Sequence, residues 1–89
     1  MRLNFPNPSR SFDESKNRVC FWGYDRSIEV SFFVEADALK LLSSNTCNAE
    51  AEFLQAFDTA LGRIHKVANE VYLRDGSGSY SYILAAGDF

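Results

Sequence analysis

Between Arg18 and Val34 two runs rich in aromatic and β-branched residues flank the polar Asp25-Arg26, the pattern of a β-hairpin. A reversal over Asp25-Arg26 sets Phe21 opposite Val30, Val19 opposite Phe32 and Gly23 opposite Ile28. These residues share one face, because cross-strand partners point the same way. The other face then carries Cys20, Trp22, Tyr24, Glu29, Ser31 and Phe33. A sheet packed on one side needs only one apolar face. Large aromatics on the second therefore predict another packed layer or a recognition surface. A turn of odd length would exchange the faces and send Cys20 and Trp22 into the core.

Upstream, residues 1–9 form an extended lead-in, since Pro6 and Pro8 oppose a helix. Leu3 and Phe5 can point to one side of it as anchors. Arg10 to Asp13 reads as a short strand, and the polar run 13–17 as the turn into the hairpin. After the hairpin the spacing becomes helical. Glu35 to Ser43 carries Ala38, Leu39, Leu41 and Leu42, with Glu35 and Asp37 at the positive end of the helix dipole.

The second helix has the clearest pattern. Asn48 is its expected N-cap, with Glu50 and Glu52 in the first turn. Phe53, Phe57, Ala60, Ile64, Ala68 and Val71 recur every three or four residues, flanked by Leu54, Leu61 and Tyr72. Asp58, Thr59, Arg63, Lys66, Asn69 and Glu70 fall on the opposite side, and Glu70 is spaced to pair with Arg74. A helix over 49–72 would be about 36 Å long, so a bend near Gly62 or an overhanging end is expected. Residues 75–79 then read as a flexible Gly/Ser loop. Tyr80 to Ala86 is a last strand, with Tyr80, Tyr82 and Leu84 on one face and Ser81, Ile83 and Ala85 on the other.

The order β-β-β-α-α-β predicts a two-layer α+β fold. Its sheet has three to four mainly antiparallel strands. The long second helix covers one sheet face, where Val19, Phe21, Ile28, Val30 and Phe32 meet the Phe53-Phe57-Ile64 stripe. The 89 residues are expected to form one domain.

Several blocks also carry a resemblance: Arg18 to Gly23, Val30 to Val34 followed by Ala38-Leu39, and Phe57 spaced to Arg63-Ile64-His65, Ala68 and Tyr72. Ile83-Leu84 and Asp88-Phe89 complete the series. In this order the blocks resemble a family of short bacterial proteins known as domain of unknown function 1488. The resemblance spans nearly the whole chain and implies a small α+β fold. It supplies no activity, cofactor or catalytic residue.

Charge and chemistry narrow the function. Nine basic against twelve acidic residues give a net charge of −3, which disfavours nucleic acid as a partner. The basic residues are scattered, so no polybasic membrane segment arises. The two cysteines, Cys20 and Cys47, suit reduced thiols, and no metal-binding spacing occurs. The N-terminus has no apolar signal segment and no run is long enough to span a bilayer, so a cytoplasmic location is expected.

His65 sits at the edge of the helix stripe, and along a straight helix Asp58 is about 10 Å away, too far for a direct bond. A boundary position accounts for it. Of the two thiols, Cys47, ahead of the second helix, gives the best enzyme-like hint, because a helix dipole lowers a thiol pKa, and a structural or incidental thiol is the favoured reading beside it. Gly76-x-Gly78 precedes a strand rather than a helix, which makes it a loop and not a phosphate cradle.

The expected function is therefore a non-enzymatic module that binds another protein or itself. Its surface is an aromatic face of Trp22, Tyr24, Phe33, Tyr80 and Tyr82, and it uses no cofactor or metal. A regulatory nucleic-acid binder is the alternative, framed by Arg10, Arg18 and Arg26. A thiol or acid–base enzyme comes third.

Overall fold

In a computed structural model, which describes residues 3–43, 49–75 and 79–89, four strands form one sheet in the order β1-β2-β3-β4. They are β1 (Arg10–Asp13), β2 (Arg18–Asp25), β3 (Ile28–Glu35) and β4 (Ser81–Leu84). The first three form an antiparallel meander, and β4 lies parallel to β3. Helices α1 (Ala36–Leu42), α2 (Glu50–Thr59) and α3 (Leu61–Arg74) make the long connection that a parallel pair requires. The result is the expected two-layer α+β architecture, with a mixed sheet.

The hairpin keeps its predicted faces but changes its register. Phe21 pairs with Phe32, Val19 with Val34 and Gly23 with Val30, so the chain reverses over Arg26-Ser27. Arg26 takes φ of 60°, as the first residue of a primed two-residue turn can require. The shift moves each partner by two residues and thus preserves which side every residue faces. It also places Asp25 inside β2, where its buried carboxylate accepts a 2.7 Å bond from the Tyr72 hydroxyl. Ile28 is a correction. It shares the inner face but sits beside the turn, and it stays 48% exposed.

One core lies between the sheet and the helices. Val19, Phe21, Val30, Phe32 and Val34 meet Phe53, Phe57, Ile64, Ala68 and Val71, all of them buried. Phe12 of β1 stacks on Phe53 with ring centroids 5.3 Å apart. In α1, Ala38 and Leu39 face this core, whereas Leu41 points to solvent.

The single helix expected over 49–72 is two helices, broken at Ala60 (φ −101°, ψ 16°), two residues before Gly62. Eight-residue strands span only about 26 Å, so a straight helix of this length would overrun the sheet. The break keeps both the Phe53-Phe57 and the Ile64-Val71 segments on it. Arg74 does not pair with Glu70: its guanidinium donates to Asp75 at 3.1 Å and to Asp88 at 3.3 Å.

The lead-in closes the inner layer. Leu3 is buried, and its N–H donates to Asn69. Asn4 exchanges backbone bonds of 2.9 and 2.8 Å with Tyr24, beyond the end of β1. Phe5 turns inward against Phe21 and Phe32. Gly23 permits this, because a Cβ there would lie 2.8 Å from the Phe5 ring. The expected N-cap Asn48 and the glycines of the 75–79 loop lie outside the described residues.

Tyr82 is the second correction. Parallel pairing sets it beside Phe32 on the inner face, where it is 6% exposed and packs edge-on against Tyr72. It belongs to the core and not to the outer aromatic face. No described helix is long and apolar enough to cross a membrane.

Candidate functional site

The side chains one residue out of phase with the core form the outer sheet face. Strand β1 contributes Ser11 and Asp13, and β2 contributes Arg18, Cys20, Trp22 and Tyr24. Strand β3 adds Glu29, Ser31, Phe33 and Glu35, and β4 adds Ser81 and Ile83. Every one of these is half-buried or exposed, and none is buried. Of the inward-facing residues of the same strands, all but Arg10, Phe12 and Ile28 are buried.

The apolar centre runs obliquely across the sheet. Trp22 pairs with Ser31, Cys20 with Phe33, and Phe33 with Ile83, which is 52% exposed. Polar contacts border the centre at both ends. At one end the Arg18 guanidinium carbon lies 3.8 Å above the Phe33 ring, and its Nε is 3.7 Å from Asp13. That contact sheathes one side of Phe33 with a cation. At the other end the Tyr24 hydroxyl donates to Glu29 at 2.8 Å. This bond to a carboxylate holds the phenol above its ordinary pKa. Asp13 is held below the usual carboxylate range, first by the Ser15 hydroxyl that donates to it.

Three of the five expected aromatics therefore share this face: Trp22, Tyr24 and Phe33. Tyr80 lies just ahead of β4, 72% exposed, and its carbonyl accepts from the Ser31 N–H. Tyr82 is on the other side. Ile83 takes the place expected of it, and the alternation of Ser81, Ile83 and Ala85 was the signal for it.

Among the described residues the candidate chemical groups are not assembled into a reactive centre. Cys20 is half-buried, and burial pushes its thiol pKa up, away from the reactive thiolate. Cys47 lies outside the described residues. His65 stacks on Phe5 with centroids 3.9 Å apart and 5° between the planes. Burial holds the imidazole below its ordinary pKa. Asp58 is engaged elsewhere, accepting bonds of 3.0 and 2.9 Å from Arg10. Among the described residues no group of three or more His, Cys, Asp or Glu side chains could hold a metal ion.

Comparison with known proteins supports the fold and places the chain. A crystal structure of a protein of unknown function from Shewanella loihica PV-4, assigned to the DUF1488 family, superposes with a TM-score of 0.76. The similarity covers 91% of each chain at 13% sequence identity, which speaks for the fold alone. No curated protein matches. The family model for proteins of unknown function DUF1488 matches residues 3–84. On that match, across nearly its full length, the chain belongs to the DUF1488 family.

Proposed function

We propose that this chain is a non-enzymatic, cytoplasmic protein-binding module whose contact surface is the outer face of its sheet. The observation that carries the reading is the asymmetry of one hairpin. Its inward side chains are almost all buried, whereas Trp22, Tyr24 and Phe33 lie on the opposite side without full burial. Aromatic side chains gathered on an exposed face more often serve protein contacts than solvent.

Charge sets the kind of partner. Among the described residues of this face, Asp13, Glu29 and Glu35 stand around the apolar centre against Arg18. A second copy packed face to face would bring like carboxylates together, which costs affinity. The better fit is another protein with an apolar centre and a basic rim. The same acidic border opposes a nucleic-acid backbone.

The experiment is a capture from bacterial lysate, with and without nuclease, using wild type and Trp22→Ala at matched folded concentration. Sedimentation of the purified protein runs in parallel. A nuclease-resistant partner with a basic surface, lost in the variant and weakened by salt, supports the reading. Nuclease sensitivity would transfer the function to nucleic acid. A dimer broken by Trp22→Ala would make the partner a second copy. Capture unchanged by the substitution would remove the outer face from the account.

A further inference from the structure

Away from the sheet's outer face, the lead-in and the break between α2 and α3 enclose a cavity of about 120 Å³. Four of its walls are aromatic rings: Phe5, Phe21, Phe57 and His65. Leu61 stands at the helix break, 37% exposed, and Asp58 borders the cavity beside it. The space is somewhat smaller than the apolar cavity of about 150 Å³ that admits benzene, so it limits an occupant to a single ring.

The walls are fixed rather than loose. Phe5 is held by the Gly23 approach, by Phe21 and Phe32, and by its stack on His65. Phe21 in turn packs against Phe57 with centroids 5.2 Å apart. Polar side chains also line the cavity: Asn7, Ser9, Asp58 and His65. No hydrogen bond or charge among the described residues acts on the His65 ring, whose surroundings only desolvate it. The Asp58 carboxylate, by contrast, is engaged by Arg10. A half-buried imidazole that lacks a partner gains most from a ligand that supplies one.

We propose that this cavity binds a small single-ring aromatic molecule bearing one hydroxyl, the ring lying among the four aromatic walls and the hydroxyl meeting His65. The site is separate from the outer face, so either can fail without the other. A preformed pocket of aromatic and apolar side chains with a few placed polar groups, here His65 with Asn7, Ser9 and Asp58, is the usual form of such a site.

The test is a titration of the full chain with phenol, and with toluene as its non-hydrogen-bonding counterpart, followed by NMR of the Phe5 and Phe57 rings, which wild type and both variants share. The expected result is a saturable shift with phenol at a Kd on the order of 1 mM, and binding of toluene at least about tenfold weaker. Leu61→Trp fills the cavity from its mouth and should abolish the shift while leaving the amide spectrum dispersed. His65→Phe should reduce phenol to the toluene level, which keeps the test decisive if the first variant perturbs folding. A linear, non-saturating response in wild type would overturn the proposal. So would equal binding of phenol and toluene, or undiminished binding in a folded Leu61→Trp protein.

Discussion

The two sides of the β2–β3 hairpin are made from neighbouring residues of the same strands, yet they meet different surroundings. Val19, Phe21, Val30 and Phe32 are buried beneath the helices. Cys20, Trp22, Ser31 and Phe33, each one residue away, are only half-buried. Composition does not distinguish the sides, because both carry large aromatics. What differs is the second layer: three helices complete one face, while on the other, among the described residues, the Arg18 guanidinium lies across Phe33 and no helix packs. An aromatic side chain thus takes its role from the layer that reaches it.

That contrast can be broken most severely from the inner side. Phe32 is fully buried among Phe5, Phe21 and Tyr82. Phe32→Ala should cost about 3–5 kcal/mol, read as a fall in the denaturant midpoint. Gly23→Ala tests the close approach of the lead-in. Its new methyl would meet the Phe5 ring and should destabilise by about 1–3 kcal/mol, displacing Phe5 from His65 in the aromatic NMR spectrum. Trp22→Ala should cost only about 1 kcal/mol, because the indole is never fully withdrawn from water. A loss as large as that of Phe32→Ala would mean that Trp22 is core, and the contrast would collapse.

The smallest effect is a pH dependence. Burial holds the His65 pKa below its unfolded value of 6.5. The unfolded chain therefore binds the proton first as pH falls, and stability rises with pH through that window. Wild type should lose stability as the pH drops from 6.5 toward the folded pKa, and His65→Phe should flatten that slope. Chemical unfolding at about pH 7.5 and about pH 5.5 (roughly one unit either side of an ordinary imidazole) reads the difference. An unchanged slope would place the titration elsewhere.

How much of this was legible in the sequence follows from the range of each interaction. Alternation along Arg18 to Val34 fixes the faces, and it survived a register error because that error was an even number of residues. The apolar stripe of α2 and α3 was equally visible, and its length called for a bend near Gly62 or an overhanging end, but the break's place at Ala60 was not legible. Ala60 continues the stripe, and only the length of the sheet makes a straight helix untenable. Tyr82 was misplaced for a different reason. Its pairing with Phe32 joins residues fifty positions apart, and nothing local to Tyr80-Ser81-Tyr82 states which face β4 offers to the helices. The Phe5–His65 stack is of the same kind, a contact between the lead-in and α3 that spacing along either segment does not reveal.

The chain has a single tryptophan, and it lies at the centre of the face on which the functional reading rests. Acrylamide quenching of Trp22 fluorescence in dilute native protein, alone and with its captured partner, therefore tests the central claim most directly. The account predicts an indole open to quencher in the isolated chain and shielded once the partner binds. A Trp22 as inaccessible in the dilute protein as a core side chain, with no change on adding partner, would contradict it.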